Sequence, residues 1–272
     1  VLRKSELDGV FVHQIELYGL LVWPFLQLRG LPVVQFKAHK GVPWTLRLAS
    51  VLFDHFVTSS ADGLELADSL KTVIGQGIDT DHFSPSSDAD TDEFRLVSVG
   101  RISPIKDYET LIEAVDKLRS RGLDRSLRVE IVGGPGRPDQ REYLEDLRGM
   151  VQERNLEEIV SFVGELPYRE VPKAYRRADL FVNLSRTGSL DKAVLEAMAC
   201  ECPIVTANWA FRDVLPASLQ DRLMVEPGDP DGLAVTIDSL AGTQEDERKR
   251  LGKRLRSLVR DGYSLNGFMD RL

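Results

Sequence analysis

The chain has 272 residues, with 35 Lys and Arg against 43 Asp and Glu for a formal charge of −8, and an isoelectric point near 5.2. At about 100–200 residues per domain this is one large or two ordinary domains, and a composition of 42% hydrophobic and 29% charged residues argues against wholesale disorder. The acidic balance disfavours general nucleic-acid binding, whose non-specific part comes from Lys and Arg neutralising phosphates, and leaves room for a local basic site holding one anionic ligand.

Taken in chain order, short β-branched runs first predict strands near residues 9–12, 33–36, 56–58 and 72–74, with helical segments between them. The apolar stretch 19–28 is broken by Pro24 and Gln27 and is too short to cross a bilayer. No signal-peptide pattern opens the chain. Four strands are fewer than the five or six of a usual sheet, so the first unit reads as truncated at its N-terminus. The chain starts at Val1 without an initiator Met, which reads as a fragment of a longer protein. Residues 79–92 hold Pro85 with several Asp and Ser, lack periodicity, and read as an interdomain linker.

From 95 to 242 the alternation is fuller. Strands are expected at 95–99, 127–132, 159–163, 180–184, 204–207 and 223–225. Between them Leu111, Ile112, Val115 and Leu118 fall on one face of a helix, and Tyr143, Leu144, Leu147 and Val151 on one face of the next. This is the pattern of a doubly wound parallel sheet. In residues 244–256 acidic side chains precede basic ones, as a helix dipole prefers, while Leu251, Leu255 and Leu258 give an apolar face for docking. The expected division is 1–84 for a partial first domain, 85–93 for the linker, 94–243 for the second domain and 244–272 for a C-terminal helix. Cys200 and Cys202 are too few for a disulfide framework and have no nearby histidine for a metal site. Burial explains them at least as well as redox chemistry does, and a reducing cytoplasm is the simplest home.

In open α/β sheets ligands bind beyond the carboxyl ends of the strands. After the strand at 95–99, Gly100 permits a turn, and Arg101 and Lys106 place two cations beside a helix start that itself favours anions. A diphosphate suits that site; a solvated loop with Asp107 as N-cap is the plainer alternative. After the strand at 180–184, the small-residue run Ser185, Arg186, Thr187, Gly188 and Ser189 leads into a helix. Its amides could cradle a phosphate and its Glu196 could accept two ribose hydroxyls, although glycine followed by serine is also an ordinary cap. The glycines at 133, 134 and 136 follow the wrong strand for a dinucleotide fingerprint and read as a flexible turn. His13 reads as a satisfied polar residue, and His55 and His82 attract no functional reading.

The runs VSVGRISPIKDYETLIEAV, VEIVGG, VSFVGELPYREVPKAYRRADLFVNLS and TGSLDKAVLEAMACECPIV resemble, in content, order and spacing, the C-terminal domain of family 4 glycosyltransferases, which have the GT-B fold. Upstream, LPVVQFKAHKG, VTSSADGLELA and IGQGID look like the later part of that family's N-terminal domain. The ending YSLNGFMDRL is similar to the segment that crosses back onto the first domain. The resemblance implies an α/β, GT-B architecture of two Rossmann-like doubly wound domains, the first incomplete, with a nucleotide-sugar donor site in the cleft between them. Arg101 and Lys106 match the family's diphosphate-holding cations, and Glu196 matches its ribose-binding glutamate. The loop Ser189, Leu190, Asp191, Lys192 and Ala193 matches the one whose amides meet phosphate and sugar. Gly164 and Leu166 fall in the loop bordering the base, and His39 matches a histidine facing the donor sugar.

The implied reaction is retaining transfer of a sugar to an acceptor hydroxyl of a glycan, lipid-linked or small-molecule acceptor. In it the acceptor hydroxyl attacks on the face the diphosphate leaves, so the resemblance implies no dedicated protein nucleophile; fixed cations can stabilise the departing diphosphate without a metal, and no permanently bound cofactor is expected. The implied setting is the cytoplasm or the inner face of the membrane, with peripheral bilayer contact open. Two departures stand against the family pattern. The position of its first motif glutamate falls on Gly188, where Asp191 could take the sugar hydroxyl and Lys192 the phosphate, and the early strands and glycine-rich loop of the first domain are absent. Glu201 stands where the family usually has glycine. A GT-B nucleotide-sugar epimerase, and a non-catalytic nucleotide-sugar-binding or scaffold protein, remain the alternatives.

Overall fold

The computed structural model describes residues 7–38, 41–86, 93–122 and 127–272. The fold is α/β with two parallel sheets, in two compact units: residues 1–76, 187–190 and 268–272 form unit 1, and residues 77–186 and 191–267 form unit 2.

Unit 1 runs β1 (Val10–His13), α1 (Glu16–Leu28), β2 (Val33–Phe36), α2 (Trp44–Leu52), β3 (His55–Thr58) and β4 (Lys71–Val73), paired in that order. Register sets Val10 opposite Val33 and Val34 opposite His55. The sheet and its helices close over Val12, Leu26, Val33, Leu46, Phe53 and Phe56. Gly19 is required at that contact, because a Cβ there would fall 2.6 Å from the Phe53 ring.

Unit 2 runs β5 (Phe94–Val99), α3 (Tyr108–Ser120), β6 (Leu127–Val132), α4 (Asp139–Glu153), β7 (Val160–Gly164), α5 (Val171–Arg176), β8 (Leu180–Asn183), α6 (Lys192–Ala199), β9 (Ile204–Thr206), α7 (Ala217–Leu223), α8 (Pro230–Ala241) and α9 (Glu245–Gly262). The sheet order is β7-β6-β5-β8-β9. Chain direction across the sheet therefore reverses between β5 and β8, the position at which open parallel sheets expose a ligand crevice at their carboxyl ends. A sheet covered on both faces needs near-continuous apolar strands, and β8 is buried along its whole length. The predicted stripe Leu111, Ile112, Val115 and Leu118 of α3 is fully inside, as are Leu147 and Val151 of α4. The final helix is α10 (Leu265–Arg271).

Several expectations differ from this arrangement. Residues 223–225 form no strand: Leu223 ends α7, and Met224 makes only a single bridge with Thr206 before Gly228, at φ 72°, turns the chain into α8. The first part of the expected linker, 79–86, is packed into unit 2. There Phe83 is buried, Ile78 bridges Ser264, and Arg256 donates to the carbonyls of Thr80 and Phe83. Residues 87–92 lie outside the described residues. α9 turns Leu251, Leu255 and Val259 inward against α6.

Candidate functional site

The carboxyl edge of the unit 2 sheet is built by backbone before any side chain enters. The amide of Gly100 donates to the Val132 carbonyl at 2.9 Å, that of Ile102 to Gly134 at 3.0 Å, and that of Gly133 to Gly164 at 2.8 Å, so the turns leaving β5, β6 and β7 are laced together. Gly133 sits at φ 137°, and a Cβ on it would fall 1.9 Å from the Gly100 carbonyl oxygen. The glycine run after β6 is thus a close backbone contact, not the flexible turn expected of it. Gly164, at φ 83°, adopts a left-handed turn at the end of β7, and Leu166 is half-buried two residues on.

After β5 the chain makes one 3-10 turn, Pro104–Lys106, and enters α3 through Asp107 at φ 53°. The Lys106 ammonium donates to Asp191, an ion pair whose side chains are 15% and 14% exposed. Asn183, at the end of β8, donates to the same Asp191 oxygen at 3.1 Å, and the other oxygen caps α6 through the Ala193 amide at 3.3 Å. Asp191 therefore closes a link between the exit of β5, the exit of β8 and the start of α6. Asp107 occupies the expected N-cap position but makes no side-chain cap bond. Its carboxylate instead accepts from the Thr110 hydroxyl at 2.9 Å and from Arg186. Arg186 carried no predicted role; its amide also donates to the Ile105 carbonyl at 3.1 Å. Arg101 and Lys192 are exposed at the same edge.

Glu196 lies just over one helical turn after Lys192. Burial raises its pKa, Asp191 adds to that rise, and the charges of Lys192 and His82 work against it. Tyr175 donates to its Oε2 at 3.1 Å. Burial holds the Tyr175 phenol well above its ordinary pKa, so that it stays a donor. Tyr168 stacks on His82 with ring centroids 4.8 Å apart, and His82, without a role in the sequence reading, is drawn by the fold into the Glu196 neighbourhood.

Gly188, Ser189 and Leu190 belong to unit 1. Gly188 is at φ 68°, and its carbonyl accepts from the Ser60 hydroxyl at 3.2 Å; the Leu190 carbonyl accepts from Gln76 at 3.2 Å. A left-handed residue is what glycine tolerates and glutamate resists, so the departure from the family motif is matched by the backbone. His39 lies outside the described residues. His13 stacks on Phe36 with ring centroids 5.5 Å apart.

Unit 1 has a polar cluster of its own that the sequence reading missed. Glu16, at the start of α1, accepts from Lys37 at 2.8 Å and from the Thr45 hydroxyl at 2.6 Å. Burial opposes its charge, yet these bonds prevail and hold its carboxyl at about 2. Among the described residues no group of three His, Cys, Asp or Glu side chains could hold a metal ion, and no helix is long and apolar enough to cross a membrane.

Comparison with known proteins gives a consistent result. A family model described as "Glycosyl transferases group 1" matches residues 79–258. The D-inositol 3-phosphate glycosyltransferase of Corynebacterium glutamicum (strain R) is 30% identical over 191 residues, 66% of this chain and 44% of the relative. The GDP-mannose-dependent alpha-(1-6)-phosphatidylinositol monomannoside mannosyltransferase of Mycolicibacterium smegmatis is 33% identical over 180 residues, 60% of this chain and 45% of the relative. The chain thus spans less than half the length of these curated relatives. Among solved structures, Anabaena HepE in complex with UDP and glucose superposes with a TM-score of 0.80 at 15% identity, covering 96% of this chain and 76% of that one. That likeness carries the fold, and the family match, spanning both the Lys106–Asp191 link and Glu196, carries the kinship: this chain belongs to the group 1 glycosyl transferases.

Proposed function

We propose that unit 2 holds the nucleoside diphosphate of a nucleotide-sugar donor at the carboxyl edge of its sheet, and that the whole protein transfers the sugar to an acceptor hydroxyl with retention of configuration. The observation that carries this reading is the Lys106–Asp191 ion pair, which ties the exit of β5 to the start of α6, with exposed Lys192 opening that helix and Glu196 just over one turn further along; Arg101 is exposed in the turn that follows β5. Cations fixed by the fold can stabilise the charge that develops on a departing diphosphate, at no cost of reorganisation at the moment of reaction. Glu196 would take the ribose hydroxyls, as the corresponding glutamate does in the family. Exposed Lys192, at the first turn of α6, would meet phosphate together with the helix-start amides. Asp191 would take a donor-sugar hydroxyl in place of the carboxylate that Gly188 lacks.

Structural neighbours crystallised with UDP and with UDP-glucose support a uridine donor, whereas the mannosyltransferase relative is named for GDP-mannose; the base is therefore a question for titration. Calorimetry of this chain with UDP, GDP and ADP, first without metal and then with Mg²⁺, tests the reading. Saturable metal-independent binding of one nucleotide is expected, weakened by about 1–3 kcal/mol in Arg101→Ala and in Lys106→Ala, the size of a lost charge-assisted bond. Binding that is unaltered in both variants would remove the phosphate assignment.

A further inference from the structure

At the opposite, amino end of the unit 2 sheet lies a cavity of about 260 Å³. Its floor is the chain entering β8 and β9 at Asp179 and Pro203, together with the turn that ends α6 at Cys200, Glu201 and Cys202; α9 forms a wall. This wall and the floor touch. A Cβ on Gly252 of α9 would fall 2.0 Å from the Glu201 carbonyl oxygen, so helix and turn meet at closest approach, and Glu201 is held at φ 63° without being glycine.

The lining carries five cations, Arg176, Arg177, Arg248, Lys249 and Lys253, against the carboxylates of Asp179, Glu201 and Glu245, in a chain whose formal charge is −8. Pairing decides how much of that charge remains. Arg248 pairs with Asp179 at 3.6 Å, Arg177 with Glu130 at 3.6 Å, and Lys249 with Glu245. Arg176, by contrast, spends its guanidinium on neutral acceptors: the Ser84 carbonyl at 2.6 Å, the Ser84 hydroxyl at 3.2 Å and the His82 carbonyl at 3.3 Å. Arg256, behind Cys200, likewise donates to the carbonyls of Phe83, Thr80 and Ala199. Among the described residues neither arginine has a carboxylate within ion-pair distance, and neither does Lys253. Carbonyls satisfy hydrogen bonds without cancelling charge, so Arg176 and Lys253 line the cavity, and Arg256 stands behind Cys200, without a local counter-ion; among the described residues Glu201 is the lining carboxylate that forms no ion pair. Their field reaches the lining thiol: burial pushes Cys200 up to about 12 against the pull of Arg176 and Arg256.

We propose that this cavity binds the phosphoryl group of a small metabolite, a phosphomonoester or a diphosphate, at a site separate from the carboxyl edge. Its volume of about 260 Å³ falls just below the usual range of small-molecule pockets, which suits a small metabolite. Guanidinium and ammonium groups that lack a local counter-ion gain most from a multiply charged oxyanion.

The test is amide-resolved NMR titration of the full chain with inorganic pyrophosphate, in the parent, in Lys249→Gln/Lys253→Gln and in Arg101→Ala/Lys106→Ala. Amides at 200–202 and 249–253 should shift saturably in the parent and in the Arg101→Ala/Lys106→Ala variant. In Lys249→Gln/Lys253→Gln, whose substitutions are on the exposed side of α9, the same shifts should need about tenfold more pyrophosphate while the remaining spectrum stays folded. Four outcomes would each overturn the proposal: no saturation at 200–202 by about 10 mM pyrophosphate, shifts reproduced by sodium chloride at matched ionic strength, shifts indifferent to Lys249→Gln/Lys253→Gln, or shifts abolished with Arg101 and Lys106.

Discussion

Lys106 and Asp191, separated by 85 residues in sequence, form a sheltered ion pair at the carboxyl edge of the unit 2 sheet. The pair occupies the ammonium that the proposed diphosphate would use, so a donor must compete with Asp191 for it. Replacing Asp191 with Asn keeps an oxygen to cap α6 and removes the competing charge. Asp191→Asn should therefore bind the nucleoside diphosphate about tenfold more tightly, near 1.4 kcal/mol, by calorimetry. It should bind the intact nucleotide sugar with a smaller gain, because the proposed sugar-hydroxyl partner is weakened. Weaker diphosphate binding in this variant would mean that Asp191 orients Lys106 and does not compete with the ligand for it.

Glu196 separates ribose from phosphate recognition. Glu196→Ala should weaken nucleoside diphosphate binding by about 1–3 kcal/mol and leave inorganic pyrophosphate nearly as tight as before. Since burial raises its pKa, parent binding of the nucleotide should also fall as pH is lowered, once Glu196 takes up a proton and loses acceptor capacity. Equal loss for nucleotide and pyrophosphate would reassign Glu196 to general electrostatics of the site.

Much of this was legible because burial writes a period into sequence. The stripe Leu111, Ile112, Val115, Leu118 and the run at 127–132 each needed only neighbours along the chain to be read. What was lost depended on partners far away. Lys106–Asp191 and Asp107–Arg186 close loops of 85 and 79 residues, and no local pattern marks them. Tyr175 gave no sign that its phenol would meet Glu196, and residues 79–86 looked like linker because their packing rests on Arg256 and Arg176. Residues 223–225 carry strand-like side chains, yet α7 claims the first of them.

The lacing of the β5, β6 and β7 exits makes Gly133 intolerant of any side chain. Gly133→Ala combines φ 137° with a Cβ 1.9 Å from a backbone oxygen, and no flexible side chain is available to yield. A loss of at least about 3 kcal/mol in chemical denaturation is expected. Gly149→Ala, where a Cβ meets nothing within 4 Å in the middle of α4, should instead be neutral or stabilising by up to about 1 kcal/mol. Similar tolerance at the two positions would mean that the turns are not in close contact.

The unit 1 cluster gives a stability signature in acid. The folded Glu16 carboxyl titrates at about 2 against an ordinary 4.5; its pKa is depressed, so the stabilisation is fully present above pH 4.5 and is lost as pH falls toward 2. At 1.36 kcal/mol per pH unit the gap corresponds to about 3 kcal/mol. Glu16→Gln should accordingly be less stable than the parent by about 2–3 kcal/mol at pH 7 in urea melts, with the difference shrinking between pH 5 and pH 2. Lys37→Met tests the same pair from the other side. It leaves a carboxylate buried beside Thr45 without its cation, which costs about 3–5 kcal/mol when an ion-pair partner is removed, and relief should come on acidification as Glu16 takes up a proton. A Glu16→Gln deficit that stays constant with pH would trace the effect to packing at the start of α1 and not to charge.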